Sequence, residues 1–235
     1  MKRKVVLVTG SAKGIGKELI KKFASNNYDV VITYNTSKKE ALSLQEYILE
    51  NYNVRVMIIK CDISNESDII NLKNKVIDEF GMLDILINNA ATAMDNYIVD
   101  KSKEEFMKVL EVNVVGTFLV TKYFYPYLDG GIIVNISSTD AVDTYSRISM
   151  DYCASKAAVN SLTKTFAQEF DNIKVVGVMP QWTNTESIKE MNPEYLESEL
   201  KRIGQKRLFE PEEVAENIIK LINDTTIKSG EIRRV

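Results

Sequence analysis

The chain has 235 residues, 45% of them hydrophobic, with 30 basic against 33 acidic residues and a net charge of −3. That length supports one full hydrophobic core, while the well-mixed charge offers no basic stripe for nucleic acid and no apolar run is long enough to span a membrane. There is no histidine and there are only two cysteines, which removes histidine-based triads, most zinc sites and any need for a disulfide, and suits a reducing cytoplasm.

Residues 4–8 form a short β-branched run with the character of a buried strand, and no leader peptide is expected ahead of it. Directly after it comes Thr9-Gly10-Ser11-Ala12-Lys13-Gly14-Ile15-Gly16, and then a helical pattern over 15–26. Gly10 permits a sharp turn, and Gly14 and Gly16 let the backbone approach a pyrophosphate without a Cβ in the way. The helix that follows adds its positive N-terminal end. Strand before and helix after turn a common glycine-rich loop into a specific signal for dinucleotide binding, with Ser11, Lys13 and Ile15 as further candidate contacts.

Further strands are expected at 30–34, 54–61, 85–88, 131–136, 173–179 and 231–235. Helical patterns separate them at 37–51, 66–80, 101–126, 151–170 and 210–223, the last opening with a proline and two glutamates in its first turn. Apolar runs buried on both faces and alternating with helices predict an α/β fold: a single doubly wound Rossmann-type domain over 1–235, its parallel seven-stranded sheet covered by helices on both faces. The least regular stretch, 181–207, follows the sixth strand at the carboxyl edge of the sheet, and reads as a substrate-binding lid.

Tyr152 and Lys156 lie four apart at the start of the fourth of these later helical stretches, so they share a helix face. A phenol titrates at about pH 10; a neighbouring ammonium and an oxidised nicotinamide ring would both favour its phenolate and let it exchange a proton near neutrality. The same spacing recurs at Tyr34 and Lys38 and at Tyr97 and Lys101. Only Tyr152 opens a helix after a strand ending in Asn135-Ile136-Ser137-Ser138.

Taken together, the glycine loop, Asn88-Asn89-Ala90-Ala91, Asn113, the Ser137-Ser138 pair, Tyr152-x3-Lys156 and Val178-Met179-Pro180 resemble the short-chain dehydrogenase/reductases, in that family's "classical" branch, from residue 4 to the end. The resemblance implies that Tyr152 is the general acid/base and that Lys156 lowers its pKa and holds the nicotinamide ribose. Ser138 would orient the substrate carbonyl, although the gap to Tyr152 is one residue longer than usual and leaves Ser137 and Thr139 open. Asn113 would hold a water that relays protons from Lys156. Asp62 would bind the adenine with Ile63 beside it, Asn89 and Ala90 would line the riboses, and Thr185, with Thr183 nearby, would meet the carboxamide. The second strand ends without the acid that NAD-specific members place on the ribose; Asn35 stands there, with Lys13 and Lys38 or Lys39 available to a 2′-phosphate. NADP(H) is therefore the preferred cofactor, with NAD(H) possible.

Three positions depart from the family's pattern. Ala91 stands for a glycine beside the cofactor, Gln181 for a glycine after the sixth strand, and the usual tail past the last strand is absent. In motifs the chain is nearest to the β-ketoacyl-acyl carrier protein reductases, but the segments 123–130 and 169–172 present acids and no arginine to an acidic carrier. The expected substrate is a small carbonyl or alcohol, walled by Tyr145, Trp182 and Met191, with no metal required. A non-catalytic NADP(H)-binding protein is the other class of reading. A homodimer or homotetramer is expected from the resemblance, and Val159, Leu162 and Phe166 form an apolar stripe that suits either a subunit contact or the sheet.

Overall fold

A computed structural model describes residues 3–235. Its seven strands are β1 (Val5–Val8), β2 (Asp29–Tyr34), β3 (Val56–Lys60), β4 (Ile85–Asn88), β5 (Ile132–Ile136), β6 (Lys174–Met179) and β7 (Ile232–Arg234). They form one sheet in the order β3-β2-β1-β4-β5-β6-β7, every pair parallel. Successive strand residues bury on opposite faces. Val6 and Val8 join one apolar layer with Ile32, Val134 and Val176; Val5 and Leu7 join the other with Val31, Leu86 and Ile133. A parallel strand covered on both faces has no polar side to present, which is why the runs are apolar throughout.

The helices are α1 (Gly14–Ser25), α2 (Lys38–Asn51), α3 (Glu66–Phe80), α4 (Lys103–Leu110), α5 (Thr117–Phe124), α6 (Met150–Glu169), α7 (Glu186–Lys189), α8 (Pro193–Ile203) and α9 (Pro211–Asn223). A capping box of Ser102 and Glu105 starts α4, Asn65 caps α3, and Gly81 ends α3 in the left-handed conformation. Between α4 and α5 the helix widens into a π-turn over Glu111–Gly116, so the single helix expected over 101–126 is interrupted at Asn113. Gly116 lies hard against the next layer: a Cβ there would come within 2.8 Å of Ile63 Cδ1.

The 181–207 segment, expected to be irregular, contains the two helices α7 and α8. Pro193 starts α8 rather than breaking it: Asn192 caps its first turn and proline at the first helical position gives up no hydrogen bond. The stripe Val159, Leu162 and Phe166 faces inward. Val159 and Phe166 are buried, and Phe166 and Leu162 pack in the layer containing Leu86. Exposed apolar side chains on the neighbouring α4–α5 stretch include Met107, Val115 and Phe118.

Candidate active site

The sheet order reverses between β1 and β4, and the loops leaving those two strands part to form a cleft, as open parallel sheets require. Thr9 fixes its floor: its hydroxyl accepts from the N–H groups of Asn89 and Ala90 at 2.9 and 3.0 Å. Asn89 Nδ2 returns bonds to the carbonyls of Thr9 and Gly10. Gly10 has φ +61°, and a Cβ there would sit 2.8 Å from Ala90 Cα. The turn therefore admits only glycine, on conformation and on space.

The cleft has a volume of about 610 Å³, and Gly10, Lys13, Gly14, Asn35, Asp62, Ile63, Asn89, Ala90 and Thr185 all line it. Helix α1 opens toward it with no side-chain cap and no acid in its first turn, unlike α3 and α4. The free N–H groups of that turn, Ile15 included, suit a pyrophosphate, so the residues present fit a nicotinamide dinucleotide. Asp62 accepts from Ser64 and, at 2.9 Å, from Asn35 Nδ2. Burial works against its charge, but these bonds outweigh it and hold the carboxyl below the usual range.

Three expected cofactor contacts lie elsewhere. Ser11 is fully buried; its hydroxyl donates to Val8 O and accepts from Thr33 N–H, and its own N–H goes to Thr33 O. It straps β1 to β2 and is not part of the cleft lining. Gly16 packs α1 onto the β4 loop, since a Cβ there would meet Asn89 Nδ2 at 2.6 Å. Lys38 is exposed at the start of α2 and lines neither the cleft nor the neighbouring recess. That recess, about 510 Å³ between α1 and α2, is lined by Lys13, Lys17, Lys21 and Lys39 with Glu40. Lys39 shares a helix face with Ser43 and Tyr47, which also line it; Lys38 is one residue off that face. Lys13 pairs with Glu40 at 3.3 Å, both half-exposed.

A second cavity, about 430 Å³, joins the cleft through shared walls at Ala91, Thr92 and Thr185. Ser138 and Tyr152 line it. The three hydroxyls left open by the sequence separate cleanly. Ser137 is buried and donates to Lys156 O at 3.1 Å, and Thr139 accepts from Thr144 Oγ1. Ser137 and Ser138 both line the cavity with Tyr152, but only the Ser138 hydroxyl acts on the phenol, favouring its ionised form. Trp182, Met191, Gln181 and Thr183 complete the wall. Tyr145 does not: it is exposed, with φ +26°, and its hydroxyl donates to Val142 O.

Lys156 is 3% exposed; its ammonium donates to Ile136 O at 2.7 Å and lies 5.4 Å from the centre of the Tyr152 ring. Burial brings its pKa down to about 8. The Tyr152 phenol, expected to be lowered, is instead pushed well above its ordinary value, first by burial and then by Asp140, against the Ser138 hydrogen bond. The phenol therefore holds its proton at neutral pH. Asn113 is buried in the π-turn beside the site. Its amide bonds Thr92 N–H, Thr92 O and Ser155 Oγ at 2.8–2.9 Å, tying the β4 loop to α6. Behind the site, Asn88 and Asn135 pair across β4 and β5 and bond Thr121 and Thr163. No spacing rule marks this buried polar chain, although an asparagine near the end of each of two adjacent strands is its trace in the sequence.

The profile of the family described as short chain dehydrogenase matches residues 4–196. This chain belongs to the short-chain dehydrogenase family. It is accordingly an NAD(P)-dependent oxidoreductase of CH–OH and carbonyl groups. Among curated relatives of this short-chain dehydrogenase, the 3-oxoacyl-[acyl-carrier-protein] reductase of Thermotoga maritima is 35% identical over 94% of the chain and 91% of its own length. The 3alpha-hydroxysteroid dehydrogenase of Mediterraneibacter gnavus is 31% identical over 100% and 96%. Among solved structures, a short chain dehydrogenase from Burkholderia cenocepacia J2315 in complex with NADP superposes with a TM-score of 0.90 at 28% identity, covering 99% of this chain and 96% of that one.

Proposed function

We propose that this short-chain dehydrogenase reduces a carbonyl to an alcohol with NADPH, Tyr152 acting as the general acid. The observation that carries the proposal is the meeting of Tyr152 and Ser138 on one wall of a cavity that opens into the glycine-loop cleft. A dinucleotide bound in that cleft supplies the hydride. Ser138 holds the carbonyl oxygen, and Tyr152, protonated at neutral pH, gives its proton to the oxygen as negative charge develops there. Lys156 stands beneath the ring with its charge in an apolar setting, where it favours the phenolate left behind. Asn113 fixes the β4 loop to α6 and so keeps the cavity wall in register with Tyr152.

Preference for NADPH rests on Lys13 and Lys39 flanking the recess beside the cleft, with Asn35 where an acid would bind a free ribose. The NADP complex of the Burkholderia cenocepacia relative is in keeping with it. The likeness to the Thermotoga maritima enzyme favours a second reading, reduction of a 3-oxoacyl thioester on a carrier protein. Against it, the segments 123–130 and 169–172 present Asp129, Glu169 and Asp171 without an arginine. Self-association is proposed through the exposed Met107, Val115 and Phe118; light scattering at micromolar concentration reads a dimer or tetramer, and a monomer refutes it.

The test is NADPH consumption with acetoacetyl thioester beside simple ketones and aldehydes, in the native protein and Tyr152→Phe. Turnover lost in the variant by about 10²-fold or more supports the reading, and the thioester result chooses between the two substrates. NADPH binding with no turnover of any carbonyl, indifferent to Tyr152→Phe, favours a non-catalytic binding protein.

A further inference from the structure

The cavity beside Tyr152 carries charge of one sign only. Asp140 follows Ser138 by two residues, on a short turn over Thr139–Ala141, and is 6% exposed. Its Oδ1 accepts from Trp182 Nε1 at 3.3 Å and from the Thr144 hydroxyl, while Oδ2 takes no hydrogen bond among the described residues. Asp95 stands at the exposed rim, with Oδ1 held by the Ser149 hydroxyl and Oδ2 unbonded. No lysine or arginine among the described residues lines this cavity.

Three cations near it are engaged elsewhere, while Arg147, between the lining residues Ser146 and Ser149, is exposed and not part of the lining. Arg202, whose guanidinium senses Asp140, is bound to Glu199 at 2.7 Å and to the carbonyls of Thr144 and Tyr145. Lys101 is paired with Asp151, and Lys156 rests on Ile136 O. Neither Asp140 nor Asp95 has an ion-pair partner among the described residues. The Asp140 carboxylate, withdrawn from water without a counter-charge, gains most from a cation arriving beside it, and Asp95 at the exposed rim adds its charge to the same wall. Trp182, Ile188 and Met191 supply apolar wall to the same cavity, Trp182 directly beside Asp140.

We propose that the substrate of this site is a carbonyl compound carrying an ammonium group close to its carbonyl, the ammonium on Asp140 and Asp95 and the apolar body on Trp182 and Met191. The inference rests on the carbonyl-reductase reading above and names its substrate class. A neutral polyol would find acceptors here too, but Thr144 and Ser149 already give each carboxylate a hydroxyl; positive charge is what the wall lacks. A carboxylate or phosphate next to the carbonyl is repelled. Asp140 also pushes the Tyr152 phenol up, and a substrate ammonium offsets that effect where the proton is given.

The experiment uses three phenyl ketones of one shape: 2-(dimethylamino)acetophenone, its uncharged isostere isovalerophenone, and the anion benzoylacetate. Mildly acidic solution keeps the amine protonated. Each is measured twice with the native protein, as kcat/KM with NADPH and as binding to the NADP⁺-loaded protein by calorimetry. The ammonium ketone is expected to exceed isovalerophenone by about tenfold or more in both, with benzoylacetate weakest; tenfold corresponds to about 1.4 kcal/mol. Asp140→Asn, which keeps the side-chain shape and its bond from Trp182, brings the ammonium and neutral ketones close to parity, and Asp95→Asn takes a smaller step the same way. Equal affinity for all three, or preference for benzoylacetate, overturns the proposal. The two readings fail separately: binding that favours the ammonium without turnover upholds the substrate charge and refutes reduction, whereas turnover blind to charge does the reverse.

Discussion

Lys101 Nζ lies 2.9 Å from Asp151 Oδ2 with the two side chains 4% and 0% exposed. Lys101 also donates to Met94 O, and Asp151 Oδ1 accepts the N–H of Tyr152 at 2.9 Å. One buried pair thus fastens the loop after β4 to the first turn of the helix that presents Tyr152. Removing either partner alone leaves an uncompensated charge in the interior, at a cost of about 3–5 kcal/mol. Lys101→Met and Asp151→Leu should each destabilise the protein by that order in urea titrations, and the double variant by less than the two singles summed. Singles that lose under about 1 kcal/mol would place the pair with ordinary surface bridges.

The three candidate hydroxyls after β5 give a sharper test, because their bonds differ. Ser138→Ala removes the group facing Tyr152 and should lower kcat by about 10²-fold with folding intact. Ser137→Ala removes a bond to the backbone of Lys156, and should cost about 1 kcal/mol of stability with a far smaller change in kcat. Thr139→Val should resemble Ser137→Ala. Rates that fall most for Ser137 or Thr139 would reassign the role.

The strands and long helices were legible because burial on both faces of a parallel sheet writes itself as apolar runs, and helices between them as amphipathic ones. Gly10 and Tyr152 were legible because a turn of positive φ and a helix face each restrict the residue type. Ser11 was misplaced for a physical reason: a short hydroxyl in a tight loop bonds the nearest backbone as readily as a ligand, and Thr33 lay in a strand whose distance the sequence did not give. Lys38 and Lys39 differ only by 100° around a helix whose orientation depends on tertiary packing. The upward shift of Tyr152 was hidden too, since Asp140 is local in sequence but its burial comes from Trp182 and the packing of the segment beyond β6.

Lys156 predicts a pH signature. Its folded pKa of about 8 lies below the value of about 10.4 expected in the unfolded chain. Between these values the unfolded chain binds more protons, so stability rises with pH across this window, and below it the full penalty of charging a buried lysine is present. The stability of Lys156→Met relative to the native protein should therefore diminish by up to about 3 kcal/mol from neutral pH to about pH 10.5. Urea midpoints at a series of pH values read this directly. Curves that run parallel would mean that the ammonium is solvated in both states.

The lysines of the recess predict how the cofactors are told apart. Lys13 and Lys39 are both side chains of the wall, and among the described residues Lys13 pairs with Glu40, itself half-exposed, at 3.3 Å. An ion pair so open to water contributes little, and a phosphate with two charges should displace Glu40 as the better partner for Lys13. NADH has no phosphate at that position and gains nothing from either lysine. Lys13→Ala and Lys39→Ala should each weaken NADPH by about tenfold, or 1.4 kcal/mol, and leave NADH affinity nearly unchanged, while Lys38→Ala alters neither. Because these charges are exposed, the NADPH preference should also shrink as salt is raised toward about 1 M, where screening acts within about 3 Å. Fluorescence titration of both reduced cofactors into the three variants decides it: equal losses for NADH and NADPH would assign the lysines to the shared pyrophosphate, and a loss confined to Lys38→Ala would move the phosphate site to the exposed start of α2.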